Sequence, residues 1–456
     1  MKSDLKLFYI YLFSHLIIWT LVPTFTNNNL PLDTIEALAW GSNLDWGFNK
    51  HPPISAIFVE LTYFFFGNND WAYYLLSQIC VIFAFYIVFI LSQEILKNDK
   101  LAIISVLLLE AIYFHNYTTP EFNVYVCQLP FRALTVLYCW KCFNETKPNI
   151  INWILLGFFC ALGFLTHYLF IYLLLGIKII FFIKIYNTKI FKKIYFIPGT
   201  VFILILIPHI IWLFENDFIT FTYGIKRTGL EDNFWFNHFK FPIELIVKQT
   251  LILLIFFFFL ILSLKKFLIK SLKIDKSLKF LLLINFVPIL LIIITSAIMG
   301  VKIRTMWLSP FYLFFGLMFI YMFKKNLKQK LILFYSTFIF LFLLSPTIYG
   351  IVSIQNENKR TDYEGKEIAY LVEKRWIENF STDIKYVVGD EWFAGNLSYH
   401  LSSRPKWYYN IKDKINELDP DGGVIYTWYD ADNSKQKICP GLYGRIDNQG
   451  ICMIGK

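Results

Sequence analysis

Residues 32–54 read LDTIEALAWGSNLDWGFNKHPPI and form the most polar stretch in the N-terminal half of the 456-residue chain. The stretch lies between two long apolar runs, carries Asp33, Glu36, Lys50 and His51, and closes on the rigid pair Pro52-Pro53. Asp33 and Glu36 are three positions apart, so a helix would place both carboxylates on one face. Tryptophan-containing amphipathic stretches beside a bilayer usually lie in the interface. We therefore expect this stretch to hold the chemistry, surrounded by apolar helices that face lipid.

The composition of the chain indicates a membrane protein. Hydrophobic residues make up 57% of it and charged residues 17%, and the mean hydropathy is +0.51. These values exclude an ordinary soluble domain and are typical of a polytopic membrane protein. The formal net charge of +10 would suit a nucleic-acid partner, but the lysines lie in short loops between apolar runs, where membrane topology explains them better. We expect no nucleic-acid partner.

The apolar runs predict about eleven transmembrane helices. One region, 151–186, is 36 residues long. At about 1.5 Å per residue it is too long for a single crossing of a ~30 Å hydrocarbon core, so we divide it at Thr166-His167. The predicted spans are 1–25, 71–96, 101–117, 122–143, 151–166, 168–186, 194–214, 243–264, 280–299, 305–323 and 331–353.

The distribution of lysine and arginine supports this count. With eleven spans and a cytoplasmic N-terminus, the lysine-rich loops all fall inside, as the positive-inside rule requires. The loops expected outside are poorer in basic residues or balanced by acids; they are 26–70, 117–121, 215–242 and 300–304. Treating 151–186 as one span would put the most lysine-rich loops on the wrong side. The same parity places the C-terminal part of the chain outside the cytoplasm.

The composition changes near residue 354, which predicts two domains. Residues 1–353 would form the membrane domain, with the first outer loop at 26–70, and residues 354–456 a small extracytoplasmic α/β domain in which helix and strand patterns alternate. Cys439 and Cys452 lie in this polar tail and would form a disulfide or remain free. Cys139 and Cys142 have CxxC spacing, but without a second pair or a histidine cluster they do not predict a metal site.

Asp33 is the first candidate for catalysis. A carboxylate at the membrane surface is suited to take a proton from an acceptor hydroxyl, although an aspartate there would equally cap a helix that begins at Thr34. Lys50 and His51 would present cations to a phosphate, or simply form a turn into an interfacial helix. Glu121, in the short outer loop, would join the same site or remain a solvated acid.

Other polar residues are open to a functional or a structural interpretation. Glu110 and Arg132 lie near the middle of neighbouring spans, where charges are costly and usually paired, so we expect a structural Glu110–Arg132 pair. His167 marks the break between two spans and would serve as hydrogen-bonded scaffold. Arg227 and Arg304, in outer loops, oppose the positive-inside trend, which points to an anionic ligand or to lipid headgroups.

Several motifs together resemble a known family, the bacterial family 39, protein-mannosyltransferase-like glycosyltransferases. Within it the chain is most similar to the lipopolysaccharide-core galacturonosyltransferases and, more distantly, to the lipid A aminoarabinose transferases. The resemblance covers nearly the whole chain, and the first outer loop is its most specific part. The segments that carry it are LDTIEALAWG (32–41), LDWGFNKHPP (44–53), TTPEFN (118–123), LGFLTHY (162–168), PHIIWLFENDFITFTYGIKR (208–227), KIRTMW (302–307), RTDYEGKE (360–367) and VVGDEWFAGNLSYHLSSRP (387–405).

The resemblance implies a GT-C fold with its active site on the outer face of the bacterial inner membrane. The family's proposed catalytic base falls on Asp33, and Glu36 matches the second acidic position of the same helix. Aminoarabinose transferases have Glu-Lys-Pro where this chain has Lys50-His51-Pro52, so here the acid is missing and the base is displaced. Relatives commonly read LTKY where this chain reads LTHY, so His167 replaces a lysine.

We therefore expect a glycosyltransferase that moves one sugar from a polyprenyl-phosphate donor to lipid A, lipopolysaccharide or another cell-envelope acceptor. The resemblance implies that the transfer inverts the configuration of the sugar. Asp33 and Glu36 would be catalytic, and Glu121 and His167 would support the site. Lys50, His51, Arg227 and Arg304 would bind the donor phosphate, with membrane lipids as further partners. No metal or cofactor is predicted, although a divalent cation near Asp33 stays open. The alternatives are a transporter or lipid flippase, and a structural membrane subunit.

Overall fold

The apolar runs of the sequence form long helices in the computed structural model, which describes residues 2–229, 235–265, 274–328, 331–410, 419, 421–430 and 436–456. Residues 266–273 and 329–330, which carry part of two lysine-rich loops, lie outside the described residues. The helices before residue 356 are α1 (Lys2–Thr26), α2 (Leu32–Gly41), α3 (Ile54–Phe66), α4 (Asp70–Leu96), α5 (Asp99–Leu107), α6 (Val124–Asn144), α7 (Ile150–Phe164), α8 (Ile171–Thr188), α9 (Ile197–Glu215), α10 (Ile219–Arg227), α11 (Asn237–Ser263), α12 (Lys276–Met299), α13 (Phe315–Phe323) and α14 (Ile332–Gln355).

Seven of these helices, within the described residues, are long and apolar enough to cross a membrane, and a bent pair would make an eighth. The bent pair joins a 3-10 segment, Thr305–Tyr312, to α13 at an angle of 51°. Shorter apolar helices such as α3 and α7 fall below that length. A multi-pass helical membrane protein is therefore confirmed, while the count of eleven spans stays a prediction.

The predicted division of 151–186 is confirmed. The chain breaks between α7 and α8, and the two helices run in opposite directions. Trp153, at the start of α7, packs 5.2 Å from Phe181, near the end of α8. At that same end of the bundle, the Lys184 ammonium donates to the carbonyl oxygens of Cys142 and Phe143 at 3.0 and 2.9 Å. His167, at the break, therefore lies at the opposite end.

Helices α1 and α14 run parallel to one another. Tyr11 packs on Phe338, Trp19 packs on Tyr349 about two turns further along α1 and three turns further along α14, and the Ser353 hydroxyl donates to the carbonyl of Thr26 at 3.0 Å. The loop that follows α1 and the C-terminal part that follows α14 therefore emerge at the same face of the bundle. This is the relationship that the charge pattern predicted.

The C-terminal part forms a five-stranded sheet with helices α15 (Gly365–Asn379) and α16 (Phe393–His400). Its strand order is β2-β1-β3-β5-β4. Strand β1 runs parallel to both neighbours, and the last two strands form an antiparallel hairpin. Cys439 is bonded to Cys452. The strands are β1 (Ile384–Val388), β2 (Lys406–Tyr408), β3 (Gly423–Tyr429), β4 (Leu442–Ile446) and β5 (Gln449–Ile454).

The predicted pair of Glu110 with Arg132 is wrong. The chain tightens into a 3-10 turn after α5, which aims Glu110 at α1. Its carboxylate accepts the Tyr11 hydroxyl at 2.8 Å and lies 3.3 Å from Nδ1 of His15. The Arg132 guanidinium instead lies 4.0 Å above the Phe311 ring. Both side chains are buried. Each contacts residues outside the neighbouring span with which the sequence analysis paired it.

Candidate active site

Helix α2 carries the catalytic candidates Asp33 and Glu36. It begins before Thr34, which is where a helix capped by Asp33 would begin. Pro31 is the residue before the helix, in an extended conformation, and Asp33 lies inside the first turn. Asp33 is therefore not the N-cap of a helix that begins at Thr34, so that prediction is wrong. A carboxylate in the first turn is favoured by the helix dipole. The buried positions of α2, among them Ile35, Leu38 and Trp40, hold the helix against the bundle.

The loop after α2 is pinned against α9 and α10. The Trp212 indole donates to the Asp45 carboxylate at 2.8 Å, and the Thr220 hydroxyl donates to the Phe48 carbonyl at 2.8 Å. A side chain at Gly47 would come within 2.4 Å of the Trp212 ring, so this close approach requires glycine. The Phe48 ring stacks on Trp40. These contacts fix the backbone that leads to Lys50.

Asp33 and Glu121 form a close acidic pair. The backbone N–H of Asp33 donates to Oε1 of Glu121 at 3.1 Å. Burial, reinforced by the charge of Glu121, raises the pKa of Asp33 to about 7, although Lys50, Arg360 and Arg227 oppose the rise. Burial also raises the pKa of Glu121. A carboxyl group that changes ionisation near neutral pH is suited to general base catalysis.

Lys50 lies between two carboxylates. Its Nζ atom is 2.8 Å from Oε1 of Glu36 and 3.3 Å from Oε1 of Glu391. Burial raises the pKa of Glu36 to about 7 despite the charge of Lys50. Burial alone would lower the pKa of Lys50, but Glu36 and Glu391 raise it overall. The ring of Tyr223 lies 5.9 Å from the ammonium on a further side.

The rings of His51 and His167 lie close together, with centroids 5.4 Å apart and planes tilted by 44°. Burial, with a contribution from His167, lowers the pKa of His51 well below its usual value, and burial lowers the pKa of His167 to about 4. Nδ1 of His167 accepts the backbone N–H of Leu169 at 3.2 Å, which caps the turn before α8. Both imidazoles are therefore neutral near pH 7, and they offer hydrogen bonds rather than positive charge.

A basic cavity of about 370 Å³ lies between the end of α10, α11 and the segment that follows α12. Its wall includes four cations and one acid, namely Arg227, Lys248, Lys302, Arg304 and Glu244. We call this the cationic cavity. The backbone holds it together, since the N–H of Lys302 donates to the carbonyl of Thr228 at 3.0 Å. Arg227 acts electrostatically on Asp33. Arg227 and Arg304 both act electrostatically on Tyr125, and so does Asp33. The cavity and Asp33 are therefore parts of one electrostatic region.

The structure adds three residues that the sequence reasoning did not select: Tyr223, Arg360 and Glu391. Arg360 lies just after α14 and acts electrostatically on both Asp33 and Glu121. Glu391 follows β1, a central parallel strand, and the carboxyl ends of such strands commonly carry functional groups. The position of Glu391 just after a predicted strand could therefore have marked it as a candidate site residue. Nothing local in the sequence distinguished Tyr223 or Arg360.

A metal ion finds no ready-made site in the described part of the chain. No group of three histidine, cysteine, aspartate or glutamate side chains there is arranged to hold one. The acids around Asp33 are instead linked to cationic side chains and to a backbone N–H. Charge compensation by lysine and arginine side chains is therefore the chemistry that this arrangement offers.

The arrangement of helices, outer loop and C-terminal sheet is that of a polytopic membrane protein of the GT-C type, as the sequence predicted. Two crystal structures of ArnT from Cupriavidus metallidurans share the fold. The structure bound to undecaprenyl phosphate aligns with a TM-score of 0.61 at 9% identity, and the apo structure with 0.63 at 10% identity. Each alignment covers 99% of this chain and 98% of ArnT.

Sequence comparison gives a shorter match. Residues 50–212 fit the family model described as dolichyl-phosphate-mannose-protein mannosyltransferase. No curated protein matches the chain at a significant level. The family match begins at Lys50 and includes Glu121 and His167, whereas Asp33, Glu36 and the cationic cavity lie outside it. It is in line with the resemblance drawn from the motifs.

Proposed function

We propose that this protein is a membrane glycosyltransferase that moves a single sugar from a polyprenyl-phosphate donor to a cell-envelope acceptor, with lipid A or lipopolysaccharide first among the candidates. The observation that carries the proposal is the placement of Asp33. Its carboxylate has a pKa of about 7 and shares an electrostatic region with Lys50 and Arg227. The fold is shared with a protein whose structure holds undecaprenyl phosphate.

The proposed reaction is one displacement at the anomeric carbon of the sugar. The bond between that carbon and the phosphate oxygen breaks, and its electron pair stays on the phosphate. The acceptor oxygen forms the new bond, and its proton passes to Asp33 as general base. A single displacement inverts the configuration. Glu121 keeps the proton affinity of Asp33 high, and Glu36 supports the acceptor side while it holds Lys50.

The cations compensate the charge that develops on the leaving phosphate. Lys50, Arg227 and Arg304 take this role, because Lys50 and Arg227 both act electrostatically on Asp33 and Arg304 lines the cationic cavity together with Arg227. His51 would donate a hydrogen bond as a neutral imidazole, and His167 would hold the turn on which His51 rests. No cofactor enters this scheme. Measuring the turnover of the purified protein with and without a chelator tests for a divalent cation near Asp33.

The proposed location is the bacterial inner membrane, with the site on the periplasmic side. The first outer loop and the C-terminal unit emerge at one face, and the lysine-rich loops are predicted on the other. A disulfide between Cys439 and Cys452 is typical of an oxidising compartment. We propose residues 1–353 as the catalytic membrane domain and 354–456 as a periplasmic domain that closes over the site.

The test is mass spectrometry of lipid A and core oligosaccharide from a wild-type strain, a deletion strain, and the deletion complemented with variants. We expect one sugar mass to disappear in the deletion and to stay absent with Asp33→Asn at normal protein level. Asp421→Asn is the matched control, because Asp421 is exposed and its carboxylate pairs with Lys456 at the surface. Full restoration by Asp33→Asn would contradict the catalytic assignment, and unchanged glycolipids would contradict a lipid acceptor.

A further inference from the structure

Lys50 is held in an unusual way for a residue that binds phosphate. Its ammonium group donates a hydrogen bond to Glu36 at 2.8 Å and forms an ion pair with Glu391 at 3.3 Å. Two negative charges therefore already lie against the ammonium group that would meet a phosphate oxygen. Glu36 is supplied by the same outer loop as Lys50, whereas Glu391 comes from the C-terminal unit.

The position of Glu391 is fixed by its surroundings. It lies in the turn between β1 and α16, and its side chain is 7% exposed. In that turn the Asp390 carboxylate accepts the backbone N–H groups of Trp392 and Phe393 at 2.8 and 2.7 Å. Oε1 of Glu391 also accepts the Asn49 amide at 2.8 Å. The carboxylate is therefore built into the site and does not simply lie near it.

A second acid beside a phosphate-binding lysine needs a reason, because it weakens the attraction for an anion. The proposed reaction supplies one. The donor is a phosphodiester with one negative charge, and the product is a phosphate monoester whose second ionisation has a pKa of about 6. The product therefore carries more charge than the donor near neutral pH. A site with an uncompensated lysine would hold the product more tightly than the substrate.

Building on the proposed function, we infer that Glu391 tunes the charge around Lys50 so that the polyprenyl monophosphate product is released. Glu36 and Glu391 together offset the lysine, which leaves enough attraction for the singly charged donor and penalises the doubly charged product. Glu391 thereby sets the preference of the site between phosphodiester and phosphomonoester. Glu391 acts on the bound phosphate through its negative charge and through its ion pair with Lys50. It is therefore a positioning residue.

The experiment measures the binding of undecaprenyl phosphate to purified full-length protein in lipid nanodiscs. We expect Glu391→Gln to tighten this binding by about fivefold at pH 8, because one nearby negative charge is removed. The gain should shrink as salt is raised. Glu378→Gln, an exposed residue of α15 in the same C-terminal unit, should leave the affinity unchanged.

The direction of the change separates a charge effect from damage to the fold. A variant that merely loosened the site would bind more weakly. Unchanged or weaker binding by Glu391→Gln would overturn the inference, and so would equal tightening by Glu378→Gln. If the wild-type protein did not bind undecaprenyl phosphate at all, the proposed function itself would fail, and this inference with it.

A second measurement needs no variant and covers the case in which Glu391→Gln does not fold. The wild-type protein is titrated with undecaprenyl phosphate and with its methyl phosphodiester at pH 8. We expect the diester to bind at least as tightly as the monoester, in spite of its smaller charge. Monoester binding that is tenfold stronger than diester binding would contradict the inference while leaving the proposed function in place.

Discussion

The site has two halves with opposite charge, and each half contains one residue of the other sign. Around Lys50 lie the carboxylates of Glu36 and Glu391, with Asp33 and Glu121 close by. In the cationic cavity, Glu244 is the one acid on a wall that carries four basic side chains. Glu244 pairs with Lys248 at 2.5 Å. The carboxylate half is largely buried, and the cavity is more open to its surroundings.

The difference indicates a division of labour. Burial raises the pKa of the acids into the neutral range, so that half is suited to move a proton. The cavity offers lasting positive charge, so it is suited to hold an anion. If this division is correct, substitution of the proton-accepting Asp33 changes turnover, and substitutions in the cavity change affinity.

The largest effect is expected for Asp33→Asn. Loss of a general base typically costs 10²- to 10⁴-fold in rate, so turnover should fall at least about 100-fold. The affinity for undecaprenyl phosphate should change by less than about threefold. Steady-state turnover and binding are measured on the same preparation, with Asp421→Asn as control. A comparable loss of affinity would break the division between the halves.

The next effect concerns the cavity. Arg227→Gln combined with Arg304→Gln should weaken the binding of undecaprenyl phosphate by about thirtyfold, since two solvent-accessible charge pairs contribute up to about 1 kcal/mol each. The turnover of bound donor should change much less. Lys226→Gln is the control, because Lys226 is adjacent in sequence but does not line the cavity. If Lys226→Gln weakened binding as much as the double variant, the loss of any nearby positive charge would explain the effect, and the cavity would not be a specific phosphate site.

The pH dependence tests the carboxylate half by itself. The pKa of Asp33 is raised to about 7, and catalysis requires the ionised form, so turnover should fall about tenfold per pH unit below 7. Glu121→Gln removes a charge that raises this pKa. The acidic limb of the profile should therefore move to lower pH, by about half a unit or more. A shift to higher pH would contradict the proposed pairing.

The smallest effect is on stability. The pKa of Asp33 is higher in the folded protein than in the unfolded chain. The folded state therefore binds more protons between about pH 4 and 7, and its stability falls as the pH rises through that window. Asp33→Asn removes this penalty. The apparent unfolding temperature should rise by a few degrees at pH 8 and hardly change at pH 4, as measured by a thermal shift assay.

Much of the architecture could be predicted from the sequence, because it depends on local pattern. Apolar runs and loop charges predicted the break at His167 and the shared face of the first outer loop and the C-terminal unit. The alternation of helix and strand predicted after residue 354 agrees with α15, β1, α16 and β3. The short strand β2 and the final hairpin have few residues and show no clear alternation, so the sequence pattern did not indicate them individually.

The chemistry of the site was harder to predict, since it depends on contacts between distant residues. Asp33, Glu36 and Lys50 share one loop, so their proximity could be expected. The partnership of Lys50 with Glu391 joins the loop to a turn in the sheet, and only the fold brings them together. Glu110 shows the same limit, since its partners Tyr11 and His15 come from α1 and not from the neighbouring span.

The contact between residues 50 and 391 also concerns the order in which the molecule is made. A ribosome produces Lys50 before most of the membrane helices, and it produces Glu391 only after α14 and β1 are complete. The cluster around Lys50 therefore receives its last acid only after the membrane helices have been synthesised.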